Sequence, residues 1–151
     1  MRAAALLEES LSLLRELGDK IREADVLTAL GRVRHAQGDA DGAAGLYREG
    51  LAMYQAMGNR LGVAEGLEGL AVLGGDVGMA WTPSWAARLL AAAAALRDAL
   101  GSPRPLAERA GYERAVSAVR AALGDARFDE AWAAGRVLPL EQAIVAAIAR
   151  S

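Results

Sequence analysis

The sequence predicts an all-α protein made of antiparallel helix pairs stacked side by side. Apolar residues recur at helical spacing, and no stretch alternates apolar and polar long enough for a strand. Two segments superpose when the chain is slid by 40 positions, and a third copy follows at a slide of 43. A Leu-Gly or Met-Gly stop recurs at matching places, at Gly18, Gly58 and Gly101.

In the first superposition Leu6, Leu11, Leu17, Gly18, Asp19, Lys20, Ala24, Leu27 and Leu30 fall on Leu46, Leu51, Met57, Gly58, Asn59, Arg60, Ala64, Leu67 and Leu70. In the second, Ala44, Leu46, Met57 and Gly58 fall on Ala87, Leu89, Leu100 and Gly101. Each copy is too short to hide its apolar stripe alone, so neighbouring copies must cover it.

The elements follow in order. Leu7, Leu11, Leu14 and Leu17 put one stripe on a first helix, Ala3 to Leu17. Gly18 supplies a left-handed stop, and Asp19 caps the next helix. That helix carries Ile21, Ala24, Leu27, Leu30 and Val33, with Gly38 to Gly42 as the short turn behind it. Tyr47, Leu51, Tyr54 and Met57 mark a third helix, and Leu61, Ala64, Leu67 and Leu70 a fourth. From Gly74 to Pro83 the glycines and the proline predict a loop. A fifth helix is expected from Ser84, as its N-cap, to Leu100. Ser102-Pro103-Arg104-Pro105 then breaks the chain, because proline donates no backbone hydrogen bond. Leu106, Tyr112, Val116, Val119 and Leu123 give a sixth helix stopped at Gly124. Asp125 is expected to cap a seventh, with Phe128 and Trp132, up to Gly135. Pro139 suits a first helical turn, and Leu140, Ile144, Ala147 and Ile148 give the last helix. Residues 1–101 read as repeats, the first incomplete, and 102–151 as a helical capping segment of the same domain.

Composition narrows the function. The chain has 151 residues, 54% apolar and 24% charged, which fits one compact domain or a short repeat stack. Its formal charge of −2 offers no electrostatic reason for nucleic acid or an anionic membrane as partner, so neither is expected. The longest apolar run, Leu89 to Leu96, is too short to span a bilayer, and the N-terminus turns acidic at Glu8 and Glu9 before a signal-peptide core develops. A cytoplasmic protein is the expectation. Cysteine is absent, which excludes disulfides, thiolate metal sites and thiol nucleophiles.

Catalytic chemistry finds little to work with. Lys20 is the only lysine and lies between Asp19 and Ile21, so there is no phosphate-binding Gly-Lys-Ser/Thr loop. His35 is the only histidine, no Gly-x-Ser-x-Gly elbow is present, and a helix end suits its partial charge. Asp39-Ala40-Asp41-Gly42 resembles the start of a calcium loop, but the loop's obligatory glycine position is Ala44. Glu8-Glu9 and Asp129-Glu130 are sequence neighbours that diverge on a helix, and the glycines of 69–78 lack the strand that a dinucleotide site needs. The expectation is no catalytic residue, no metal and no cofactor. Phe128 and Trp132 are expected to seal one end of the core, and Trp81 and Trp85 the seam between repeats.

Leu30-Gly31, Ala43, Tyr47 and Gly50 stand at the spacing of the tetratricopeptide (TPR) signature, and the repeats resemble the longer, roughly 40-residue variant of that family. Leu27, Arg34 and Gln55 replace the family's first aromatic, its tyrosine and its terminal proline. Residues 86–150, including Ala86-Ala87-Arg88-Leu89-Leu90, Leu96 to Gly101, Tyr112-Glu113-Arg114, Ala121 to Gly124 and Ala131 to Arg136, resemble the tail that closes TPR arrays in large bacterial ATPase-linked transcriptional regulators and related signalling proteins.

That resemblance implies a short right-handed superhelix with a helical C-terminal cap. By its phase, Asp25, Thr28, Arg32 and His35 should face a concave groove from one first helix, and Glu65, Glu68 and Val72 from the next. The implied role is a non-enzymatic protein-protein interaction module that takes a protein or peptide, basic or amphipathic because the groove reads more acidic than basic. The opening helix looks like a second-type helix without its first, as at the end of a longer polypeptide. Its Leu7-Leu11-Leu14 stripe makes a homodimer the alternative.

Overall fold

A computed structural model describes residues 2–73 and 83–149, and no strand occurs among them. The helices are α1 (Arg2–Leu17), α2 (Lys20–Ala36), α3 (Ala40–Met57), α4 (Arg60–Leu73), α5 (Pro83–Leu100), α6 (Leu106–Leu123), α7 (Asp125–Arg136) and α8 (Leu140–Ala149). The expected loop at 74–82, with Trp81, lies outside the described residues.

One device closes a helix and opens the next at three junctions. Gly18, Gly38 and Gly58 adopt φ of +71°, +83° and +70°, a region that disfavours side chains with a Cβ. The following N–H returns to a carbonyl of the helix just ended: Asp19 to Leu14 at 3.0 Å, Asp39 to Arg34 at 2.9 Å, Asn59 to Tyr54 at 2.9 Å. The same residue's Oδ1 then accepts the N–H three places on, from Arg22 (3.1 Å), Gly42 (2.9 Å) and Gly62 (3.0 Å). Each such cap contributes roughly 1 kcal/mol.

Three expected boundaries move. α3 begins at Ala40, so Asp41 and Gly42 form its first turn and the connector, Gln37 to Asp39, ends at the capping residue. Pro83 is the first residue of α5, which places Ser84 inside the helix rather than at its cap. Gly124 is the N-cap of α7 and Asp125 its first residue, where a carboxylate still suits the positive end of the helix.

Packing runs in chain order: α1 on α2, α2 on α3, α3 on α4, α4 on α5. α5 then carries both α6 and α7, and α8 folds back against α3, α4 and α5. Helices touched on several sides must be apolar nearly all round. That explains the run Leu89 to Leu96, of which Leu89, Leu90, Ala91 and Ala93 are fully buried. The alanines bring α5 and α7 close: Gly135 lies directly against the backbone of Arg88 and the Ala91 methyl. Leu27, Leu51, Leu67, Leu70, Leu73 and Tyr54 complete the deep core. Each such leucine gains about 1.5–3 kcal/mol by leaving water.

The first stripe does not hold its full length. Leu11 is buried, and Leu7 and Leu14 are half-buried, but Leu17 and Ile21 flank the Gly18 bend and stand 79% and 63% exposed. Polar contacts tie α1 down instead. Glu23, buried on α2, accepts from Arg15 at 3.2 Å and Lys20 at 3.4 Å, and Arg15 also reaches Glu49 of α3 at 3.0 Å. Phe128 is buried as expected and stacks on Trp132 with ring centroids 5.6 Å apart; Trp132 itself stays half-buried.

Candidate functional site

Five residues expected in the groove, Arg32, His35, Glu65, Glu68 and Val72, line one cavity of about 240 Å³. α2 contributes Arg32 and His35, α4 contributes Glu65, Glu68 and Val72, and α6 contributes Glu108, Gly111 and Tyr112. These are alternate helices of the chain, and α2 and α4 touch directly.

The reason for that contact is Tyr47 of α3. Its ring lies between Gly31 of α2 and Gly69 of α4: a Cβ built on either glycine would fall 2.9 Å or 2.8 Å from the ring edge. Two missing side chains thus let the first helices close over an aromatic from behind. Tyr47 is 4% exposed and borders the cavity. Burial pushes its phenol up to about 12, against an opposing pull from Arg32.

Asp25 and Thr28 do not line the cavity. Thr28 is buried and its hydroxyl donates to the Ala24 carbonyl at 3.0 Å, while Gly50 leaves room for it. Asp25 accepts a 2.6 Å bond from the Tyr54 hydroxyl, joining α2 to α3. Burial, and after it that bond, raise the Tyr54 phenol well above its usual range.

Glu68 is a buried hub rather than an open groove residue. Arg97 grips it with two parallel bonds, Nε to Oε2 at 2.9 Å and Nη2 to Oε1 at 2.8 Å, and Arg104 donates to Oε2 as well. Arg97 also reaches the Ser102 carbonyl at 3.3 Å, and Arg104 stacks 3.3 Å over the Tyr112 ring. The bonds to Glu68 raise the Arg97 pKa further, and burial raises that of Tyr112. One carboxylate thereby fixes α4, α5, the 102–105 connector and α6 together. Forked Arg–carboxylate geometry suits this role.

Glu65 and Glu108 face a single guanidinium. Arg32 Nη2 stands 3.6 Å from Glu65 and 3.5 Å from Glu108. Burial raises the Glu65 pKa, and Arg32 and Arg97 oppose the rise.

The cavity wall therefore holds three arginines and three glutamates, which corrects the expectation of an acidic excess. Arg97 and Arg104 were missed because they come from a second helix and a connector, drawn in by Glu68. Glu108 could have been found. It lies 43 positions after Glu65, which lies 40 after Asp25, so the two slides that define the repeats put one acid on each of α2, α4 and α6. Among the described residues no group of acids, histidines or cysteines is arranged to hold a metal ion. Nor is any described helix long and apolar enough to cross a membrane.

No protein-family model matches the chain, and no solved structure matches it. Over 121 residues, 80% of its length, the chain is 41% identical to proteins of Mycobacterium bovis and of two strains of Mycobacterium tuberculosis, each named "putative HTH-type transcriptional regulator". It spans 13% of the length of these relatives. The likeness overturns the expectation that nucleic acid is not a partner, since helix-turn-helix denotes a DNA-binding motif. A near-neutral charge summed over one segment was too coarse a ground for that exclusion, because charge acts through its local distribution.

Proposed function

We propose that this chain is a non-enzymatic, TPR-like docking module of a bacterial transcriptional regulator, working in the cytoplasm. The supporting observation is the convergence of α2, α4 and α6 on one cavity lined by charged side chains and by Tyr47 and Tyr112. Alternate helices of a stacked array present a continuous face, and a partner segment laid along it touches every repeat. Mixed charge with aromatic walls suits a polypeptide carrying both basic and apolar side chains. Binding there bears on α6 through the Glu68 hub, which links the groove to the C-terminal helices.

A photo-crosslinking residue placed at Val72 tests this in the full-length regulator. Adducts at Val72, and none from Val145 on the exposed face of α8, are the expected result. Equal capture at both positions would count against the groove.

A second reading is self-association. Leu6, Leu13 and Leu17 share one face of α1 and are 54%, 55% and 79% exposed. The Leu7-Leu11-Leu14 stripe first assigned to dimerisation is turned toward α2 instead. Light scattering decides this reading: Leu13→Asp should dissociate a dimer, whereas a monomeric wild type removes the idea.

A further inference from the structure

We infer that the cavity between α2, α4 and α6 is a receptor for an arginine side chain of the partner polypeptide, with Glu65, Glu108 and the Tyr47 hydroxyl as its acceptors and Arg32 as the internal cation that the incoming guanidinium displaces. This rests on the groove reading above and names the anchor it recognises.

Three oxygen-bearing groups converge here, and among the described residues none takes part in a side-chain hydrogen bond. Glu65 and Glu108 meet only Arg32, at distances too long for good hydrogen bonds. Tyr47 is more than nine-tenths buried, and its phenol borders the cavity without a hydrogen-bond partner among the described residues. The Glu65 and Glu108 side chains are 31% and 40% exposed, so water meets them in the cavity, and Tyr47 is the one largely enclosed group of the three. Polar groups so enclosed are nearly always bonded, so a donor arriving beside the Tyr47 hydroxyl would meet all three. A lone pair on each, spread over three helices, asks for a ligand with several N–H groups in a fixed fork. Guanidinium has five such donors, ammonium three without planarity.

Arg32 shows that a guanidinium fits between the two carboxylates and that this one is held loosely. Its side chain remains 49% exposed, so it can swing into water at little cost. The other two arginines of the wall bond to Glu68 and stack on Tyr112, Arg97 acting on Glu65 only through space, so Arg32 is the one cation in contact with both Glu65 and Glu108 among the described residues. At about 240 Å³ the cavity exceeds several times the ~30 Å³ share of one water molecule, which leaves room for the head of an arginine.

The test is fluorescence anisotropy with a labelled host peptide, Ala-Ala-Arg-Ala-Ala with blocked ends, against the same peptide bearing citrulline, whose urea head has the same shape and no charge. The arginine peptide should bind and the citrulline peptide should bind at least tenfold more weakly, in keeping with hydrogen bonds to charged groups. Tyr47→Phe keeps the ring between Gly31 and Gly69 and removes one acceptor, for a loss of roughly fivefold. Arg32→Ala removes the competitor and should tighten binding about fivefold to tenfold, the reverse of what a cation that helps hold an acidic partner would do. Its exposed side chain makes it a variant that folds.

Equal binding of the two peptides, no binding of either, or weaker binding to Arg32→Ala would overturn the assignment. So would N-acetyl-arginine amide competing as tightly as the peptide, since the pocket would then serve a free small molecule. If Val72 captures a partner while the arginine peptide fails, the anchor is wrong and the groove stands; if both fail, so does the groove.

Discussion

Replacing Glu68 by alanine removes the centre of the network that holds α4, α5 and α6 together. The Glu68 side chain is 11% exposed, and its partners Arg97 and Arg104 are 6% and 15% exposed. Alanine strips both forked bonds from Arg97 and the shared bond from Arg104. Arg97 keeps only its 3.3 Å contact to the Ser102 carbonyl, and Arg104 keeps only its stack on Tyr112. Removing one partner of a buried ion pair costs about 3–5 kcal/mol, because the remaining charge stays desolvated. For a chain of this size that lowers Tm by roughly 6–20 °C. Urea denaturation followed by circular dichroism at 222 nm measures it. Glu68→Met combined with Arg97→Met should cost less than Glu68→Ala alone, since it strands only the Arg104 guanidinium, which stacks on Tyr112, where Glu68→Ala strands both arginines. A Glu68→Ala protein within about 1 kcal/mol of wild type would refute the reasoning and place the network at the surface.

Further expectations concern packing and ionisation. Gly69→Ala should destabilise by about 1–3 kcal/mol through its clash with Tyr47, whereas Gly45→Ala, with open space at its Cβ, should stabilise by roughly 0.5–1 kcal/mol; denaturation midpoints moving in the same direction would contradict this. Phe128→Ala should cost ~3–5 kcal/mol and Trp132→Ala clearly less, because Phe128 is buried and Trp132 half-buried; equal losses in a melt would show that Trp132 also bears on the core. The folded phenol of Tyr47 sits near 12 against an ordinary value of 10.0, and those of Tyr54 and Tyr112 are raised as well. The unfolded chain therefore loses phenolic protons first, so stability falls as pH rises from 10 to 12. Phenolate absorbance should grow together with loss of helical signal. Ordinary phenolate titration in an intact helical protein would contradict the burial of these rings.

Much of the architecture is legible in the sequence itself. The Gly-Asp and Gly-Asn junctions are legible because a left-handed stop and a side-chain cap are local chemistry, settled between neighbouring turns. The groove phase of α2 and α4 follows from the resemblance to TPR repeats, and it carries Arg32, His35, Glu65, Glu68 and Val72 to one wall. What escaped depends on contacts across the chain. Thr28 and Asp25 share the groove phase but are taken by Ala24 and Tyr54, partners that no periodicity names. Arg97 and Arg104 reach the site because a buried carboxylate needs countercharge, a demand visible only once Glu68 is seen to be enclosed. Tyr47 enters from α3 through the gap that Gly31 and Gly69 leave. Leu17 and Ile21 fit the apolar stripe yet lie at a bend, where no neighbouring helix follows to cover them.

Amide chemical-shift mapping on the ¹⁵N-labelled chain, titrated with the arginine host peptide, bears most directly on the groove. Shifts concentrated at Arg32, Tyr47, Glu65, Gly69, Glu108 and Gly111, spanning α2, α3, α4 and α6, are the predicted result. Shifts confined to Leu6, Leu13 and Leu17 on the outer face of α1 would contradict it.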